Sequence, residues 1–206
     1  MKVNLLAIDE AHCISQWGYD FRPSYLQIAS IREHLPNVPV LALTATATKN
    51  VELDIQEKLA FKNQNVFKKS FERKNLAYIV LYEEDKFGRL LKITKSLNGI
   101  GVVYVRTRKK TKEIADFLKR NKVSAEAYNA GMTSAERSKV QDNWMKEKTR
   151  VVVATNAFGM GIDKGNVRFV VHVDSPESLE AYYQEAGRAG RDEQKAFGIL
   201  LFNKND

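Results

Sequence analysis

Two adjacent acids, Asp9 and Glu10, stand directly behind the apolar run VNLLAI (residues 3–8) and open the tetrapeptide DEAH. At a strand end, one carboxylate can hold Mg2+ through its water shell while the other orients or deprotonates an attacking water. The same pair also reads as an acidic helix start favoured by the helix dipole, and the tetrapeptide alone leaves both readings open. TATAT (44–48) offers small hydroxyl donors suited to relaying the state of one site to another, or simply Thr48 as a helix cap. RTRKKTK (106–112) gathers five cations at a helix start. The dipole opposes cations there, so a bound anion such as phosphate would resolve the conflict; a salt-screened, solvated run is the alternative. The richest stretch is 150–192, where Thr155 and Asn156 leave a strand and Gly159, Gly161 and Asp163 form a loop. Its glycines allow the backbone to approach a ligand closely. Ser175 as cap and Pro176 at the first position predict a helix start. A continuous register then puts Gln184, Arg188 and Arg191 on one face. Gly187 and Gly190 would each cost that helix about 1 kcal/mol relative to alanine, so a turn is the alternative. Either way two arginines converge, and such a pair can clamp a γ-phosphate, an effect of roughly 10³ to 10⁵ in rate.

Holding these groups requires strands that end where the acids and loops begin. Short β-branched runs at 3–8, 38–43, 77–82, 101–105, 125–128, 150–155, 168–173 and 197–202 alternate with helical patterns. Helical stripes include Leu90, Ile93 and Leu97, then Ile114, Phe117 and Leu118, and also Val51, Ile55 and Leu59. That alternation predicts an α/β chain with parallel sheets flanked by helices, and ligands beyond the carboxyl ends of the strands. A polar passage at 68–75 predicts a seam, dividing the chain into residues 1–68 and 69–206.

The 206 residues carry 33 Lys+Arg against 25 Asp+Glu, and residues 1–68 hold seven of each sign. The whole net charge of +8 therefore lies in the second part, which points to an anionic partner or to a solvated basic surface. The single cysteine, Cys13, excludes an internal disulfide and a multi-cysteine zinc cage and is consistent with a reducing cytosol. No apolar run approaches the ~20 residues of a membrane span. His12, Cys13, His34 and His172 make a poor metal set, with His172 inside an apolar strand reading as a core histidine.

The ordered series LLAIDEAHCISQWGYDFRPSY, LALTATAT, SFERKNL, VVYVRTR, YNAGM, VVVATNAFGMGIDKGNVRFVVH and YYQEAGRAGRD resembles the RecQ family of superfamily 2 DNA helicases. The resemblance implies two RecA-like domains that hydrolyse ATP in the cleft between them and move 3' to 5' along single-stranded DNA. It gives Asp9 and Glu10 the Mg2+ and water-activating roles, Arg188 and Arg191 the catalytic arginine role, and Gln184, Gly161 and Asp163 to the nucleotide. It makes His12, Thr44 and Thr46 the coupling residues. Gln16, Trp17, Phe21 and Arg22 become a single-strand sensor, with Arg106, Thr107, Thr155 and Asn156 also on DNA. Aromatic stacking is worth roughly 1 to 3 kcal/mol per base, although Trp17, Tyr19 and Phe21 taken alone read as a core plug.

The family's phosphate loop, G-x-x-x-x-G-K-[ST], does not occur in these residues. Tyr19 stands where the family often has histidine, and Asn129 where YHAG is usual. The expectation is a fragment or half of a split protein, whose partner is the missing N-terminal half of the first RecA-like domain. Its first domain would be partial, with an exposed sheet edge, and its second complete. As a whole it is expected to be a cytoplasmic monomer, without membrane contact, acting on single-stranded and partly duplex DNA with ATP and Mg2+. The alternatives are a non-catalytic nucleic-acid-binding module and an RNA helicase of the same superfamily.

Overall fold

The computed structural model describes residues 2–16, 20–45, 47–68, 70, 72–159 and 162–206. It divides into two units, residues 1–71 and 72–206, rather than at 68/69.

In the first unit, β1 (Leu6–Ile8) pairs in parallel with β2 (Val40–Ala42), Leu6 opposite Val40 and Ile8 opposite Ala42. Both strands are shorter than their apolar runs, because only alternate residues have a covering layer. Ile8 is buried, and Leu6, Val40 and Ala42 pack on the same small core, while Leu5, Leu41 and Leu43 are exposed. That core is completed by Val51 and Ile55 of α2 (Lys49–Lys58) and by Leu59 behind it. Thr48 caps α2 by accepting from the Val51 N–H at 3.5 Å, as its position predicts. Between the strands lie a 3-10 turn (Ala11–Ile14), a 3-10 helix (Pro23–Ser30) opened by Pro23, and the single-turn α1 (Ile31–His34).

The second unit is a six-stranded, wholly parallel sheet. Its strands are β3 (Leu76–Tyr82), β4 (Ile100–Tyr104), β5 (Ala125–Tyr128), β6 (Val151–Ala154), β7 (Val167–His172) and β8 (Ala196–Phe202). Their order in the sheet is β3-β8-β7-β4-β6-β5. The central strands β4 and β6 are buried at every position, which is why their sequences are unbroken apolar runs. Right-handed crossovers put helices whose strands step one way along the sheet on one face and those stepping back on the other. Accordingly α3 (Lys86–Ser96) and α4 (Arg108–Arg120) pack Leu90, Ile93, Ile114 and Leu118 against Val103, Val153 and Val171. On the opposite face, α5 (Ser134–Met145) packs Val140 and Trp144 against Val102, Val152 and Val170. The last helix, α6 (Leu179–Ala186), lies on that face too, where Tyr78 of β3 stacks on Tyr183 with ring centres 5.6 Å apart.

One helix start differs from the expectation. α6 begins at Leu179, capped by Ser178, whose hydroxyl accepts from the Ala181 N–H at 3.1 Å. Ser175 and Pro176 lie in the loop before it. The cause is tertiary: Asp174 accepts from the Arg106 N–H at 2.8 Å and from Lys110 at 2.5 Å, and the Ser175 carbonyl accepts from the Arg106 guanidinium at 3.2 Å. Those bonds hold 174–175 against the loop after β4.

Candidate nucleotide and nucleic-acid sites

In the first unit the chain leaves β1 and turns sharply. Glu10 takes a left-handed conformation (φ 49°), its N–H donating to Asp9 Oδ1 at 2.8 Å. The Ala11 N–H then donates to the Leu43 carbonyl at 2.9 Å, which ties the turn to the end of β2. Ala11, His12, Cys13 and Ile14 are all buried, so the acids stand at the lip of a rigid turn rather than on a free helix start. Asp9 is exposed, whereas Glu10 Oε2 is buried and accepts no hydrogen bond from the described residues. It lies 3.4 Å from His12 Nδ1.

His12 Nδ1 also lies 3.0 Å from Thr44 Oγ1, so the fourth residue of DEAH and the first threonine of TATAT, 32 positions apart, meet directly. Burial holds the His12 imidazole below its usual pKa, against the opposing pull of Glu10 and Asp20. A lowered folded-state pKa means stability that is complete above about 6.5 and is lost as pH falls through the folded value. Unfolding free energy should therefore decline between pH 7 and 5, and His12→Gln should flatten that decline in denaturant titrations at the two pH values. Equal slopes in both proteins would contradict the assignment.

His12, Cys13 and Asp20 bring potential ligand atoms within 4.8 Å of one another. Asp20 Oδ2, however, already accepts from Arg22 at 2.5 Å, and burial pushes the Cys13 thiol up to about 11, so it keeps its proton. The cluster is a hydrogen-bonded brace, reinforced by the Arg22 N–H donating to the Cys13 carbonyl at 2.8 Å. Of the proposed strand sensor, Gln16 is exposed and Phe21 and Arg22 are half-buried. Trp17, Tyr19 and Thr46 lie outside the described residues.

In the second unit the candidate residues sit on loops at the carboxyl ends of β4, β6 and β7. Arg106 and Thr107 follow β4, and both are exposed. Thr107 caps α4, its hydroxyl accepting from the Lys110 N–H at 3.3 Å. After β6, Thr155 is buried and Asn156 exposed. Tyr104 donates its hydroxyl to the Phe158 carbonyl at 2.9 Å, fixing the start of the glycine loop from within the sheet. Gly161 lies outside the described residues.

The register through Gln184, Arg188 and Arg191 does not persist. α6 stops at Ala186, Gly187 closes it, and the chain turns through Gly190 (φ 65°), whose N–H donates to the Val167 carbonyl at 2.8 Å. Gln184 stays half-buried on the last turn of α6, while both arginines fold onto the loop after β6. Arg188 Nη1 donates to the Gly159 carbonyl at 2.6 Å, and Arg191 Nη1 to Asp163 Oδ1 at 2.9 Å. Gly159 (φ 129°) permits this, because a Cβ there would fall 2.2 Å from the Arg188 guanidinium carbon. Gly190 is equally constrained, as a Cβ would meet Asn75 Nδ2 at 2.6 Å and Ala196 Cβ at 2.8 Å. Gly190→Ala is expected to cost about 1 to 3 kcal/mol in denaturant unfolding; an unchanged midpoint would show that the turn relaxes freely.

One buried group was read by sequence only as core. His172, 1% exposed, places Nε2 2.8 Å from Glu185 Oε2 and stacks on Tyr104 with ring centres 5.3 Å apart. The pair ties the end of β7 to α6, the helix that carries the arginine turn.

One unit thus carries paired acids at a strand end, and the other carries arginines and a glycine loop at the strand ends of a parallel sheet, features shared with the helicase class of protein. Residues 85–193, more than half of the chain, match the family described as helicase conserved C-terminal domain, and residues 1–53 match the DEAD/DEAH box helicase family. The ATP-dependent DNA helicase RecQ of Haemophilus influenzae is 46% identical over 209 residues, covering 100% of this chain and 33% of that protein. RecQ of Bacillus subtilis is 46% identical, covering 99% of the chain and 35% of that protein. The chain thus spans about a third of the length of these curated relatives. Among solved structures, S. cerevisiae Dbp5 bound to RNA and ADP BeF3 superposes with a TM-score of 0.75 at 22% identity, over 99% of this chain and 55% of that one. That likeness shows the RecA-like fold alone. The chain belongs to the helicase family and, within it, to the RecQ-like members.

Proposed function

We propose that the chain supplies motor elements of an ATP-dependent DNA helicase that moves 3' to 5' along single-stranded DNA and opens partly duplex substrates. The observation that carries this reading is the His12–Thr44 hydrogen bond, which joins the hydrolytic acids of one strand end to the hydroxyl segment of the next. A change at either strand end therefore reaches the other through one buried ring.

ATP is the substrate that membership of the DEAD/DEAH helicases implies. Mg2+ requires hard oxygen ligands, and Asp9 and Glu10 fit it: one exposed carboxylate, and one whose Oε2 is a buried acceptor without a donor. When bound, the ion would neutralise charge on the phosphates. Glu10 Oε2 is the atom suited to take a proton from an attacking water, since it accepts no hydrogen bond from the described residues and the nearby His12 Nδ1 stays 3.4 Å away. Arg191 is the arginine suited to the γ-phosphate. Its side chain is 39% exposed and is held by a surface pair with Asp163, itself 86% exposed, a class of pair worth about 0 to 1 kcal/mol and easily exchanged. Arg188 instead braces the loop. The phosphate loop absent from these 206 residues is needed for turnover, so the tests use the full-length protein. A reducing cytoplasm is compatible with the buried, protonated Cys13 thiol.

A second reading is an RNA motor, since one relative at 44% identity is named a putative ATP-dependent RNA helicase, from Acanthamoeba polyphaga mimivirus. Unwinding assays on matched duplexes separate the two. The proposal expects opening of a DNA duplex with a 3' single-stranded tail, and little opening with a 5' tail or an RNA tracking strand. Preference for the RNA strand would overturn it.

A further inference from the structure

The net charge of the chain is concentrated in one layer of helices. Ten of the 33 Lys+Arg and two of the 25 Asp+Glu lie in α3 and α4, so these 24 residues carry +8 and the remaining 182 carry 23 of each sign. Both helices pack on the same face of the second sheet, where Phe87 and Phe117 meet with ring centres 5.4 Å apart. The opposite layer is different: α5 holds Glu136 and Asp142 against Arg137 and Lys139, and α6 has Glu180 and Glu185 with no cation. A surface kept basic only for solubility would mix the signs on both layers.

Most of these cations are also unspent. Lys86 is paired with Asp206, Arg89 with Glu83, Lys110 with Asp174, and Lys119 at 3.9 Å with Asp116. Lys92, Lys95, Arg108, Lys109, Lys112 and Arg120 are exposed and have no ion pair among the described residues. Lys109 and Arg120 lie eleven residues apart on α4, about 16 Å along its axis, and α3 meets α4 through the Phe87–Phe117 contact.

We propose that this outer face of α3 and α4 is a docking surface for the phosphate backbone of duplex DNA. The inference rests on the nucleic-acid motor reading and extends it to a second, separate contact. Charge selects a polyanion, and breadth selects the duplex. Single strands are held by a groove lined with stacking rings, whereas the rings of these two helices, Phe87 and Phe117, are half-buried against each other. A layer on which ten cations outnumber the exposed Glu113 and Asp116, six of them without an ion pair among the described residues, instead suits sequence-independent contact with phosphates, which is electrostatic and releases counterions. It is also continuous at its α4 end with Arg106 and Thr107, so a duplex on this face would lie beside the loop assigned to the tracked strand.

The test uses the full-length protein carrying Lys92→Ala, Lys95→Ala and Arg120→Ala together, compared with Arg106→Ala. Binding to a blunt 20-base-pair duplex and to a 20-nucleotide single strand, both as fluorescent probes, would be measured over a salt series. Each lost phosphate contact lowers the log–log salt slope by about one, so the triple variant should lose about three from the duplex slope and about tenfold or more in affinity. Single-strand binding and strand-stimulated ATP turnover should be unchanged. Equal losses on single strand and duplex would overturn the duplex assignment, as would displacement of the duplex by polyglutamate as effective as displacement by unlabelled DNA. Unchanged duplex affinity and slope would remove the surface altogether, yet leave the motor reading standing if Arg106→Ala still weakens single-strand binding. Loss of all nucleic-acid binding in the unsubstituted protein would sink both.

Discussion

Replacing Arg191 by alanine in the full-length protein is expected to lower ATP turnover by roughly 10³ to 10⁵-fold, the scale of an arginine that stabilises charge on a transferring phosphoryl group. Stability and single-strand affinity should hardly change. The side chain gives up an exposed pair with Asp163 and a long 3.5 Å bond to the Ile162 carbonyl, and surface pairs of this kind contribute about 0 to 1 kcal/mol. Arg188→Ala should behave in the opposite sense. Its guanidinium caps the Gly159 carbonyl at 2.6 Å, and removing it leaves that carbonyl without its donor and a gap above the glycine. An unmet buried acceptor costs about 1 to 3 kcal/mol, so unfolding of the second unit should move to lower denaturant. Steady-state turnover and denaturant melts on both variants separate the roles. A stability loss in Arg191→Ala matching that of Arg188→Ala would make both arginines structural.

Glu10→Gln is expected to lower turnover by about 10² to 10⁴-fold, the usual contribution of a positioned general base, while leaving nucleotide and strand affinity in place. The left-handed backbone of Glu10 is held by Asp9 and by the bond from Ala11 to Leu43, none of which depends on the charge of the side chain. Its Oε2 accepts no hydrogen bond from the described residues, so the amide alters only the 3.4 Å contact of that oxygen with His12 Nδ1. Near-normal turnover in Glu10→Gln would assign the base elsewhere. Loss of nucleotide affinity in step with turnover would recast Glu10 as a binding residue.

The strands were legible because a parallel sheet covered on both faces demands continuous apolar runs, and β4 and β6 supply them, with β7 broken only at Arg168 before its terminal His172. The first unit was less legible at its strand ends: Leu5, Leu41 and Leu43 are apolar in sequence but exposed, and three residue pairs make up the ladder. α5 left little periodic trace, since only Val140 and Trp144 of its twelve residues are buried. Its signal was the capping box Thr133–Glu136, a Thr followed three positions later by Glu, with both reciprocal bonds formed. The start of α6 was misplaced because Ser175–Pro176 has the local chemistry of a helix start, and the bonds from Arg106 and Lys110 that overrule it come from more than sixty residues away. Gly187 and Gly190 did warn that the arginine register would break. The turn they make, and the meeting of His12 with Thr44, depend on tertiary contacts that spacing alone does not contain.

The central claim is that hydrolysis by the acids after β1 is tied to a nucleic-acid strand through the His12–Thr44 link. ATP turnover of the full-length protein, measured with and without saturating single-stranded DNA in the unsubstituted protein and in Thr44→Val, tests it most directly. Strong stimulation by DNA is expected in the first, and in Thr44→Val a stimulation largely lost while single-strand affinity stays. Turnover indifferent to DNA in the unsubstituted protein, or stimulated equally in both, would contradict it.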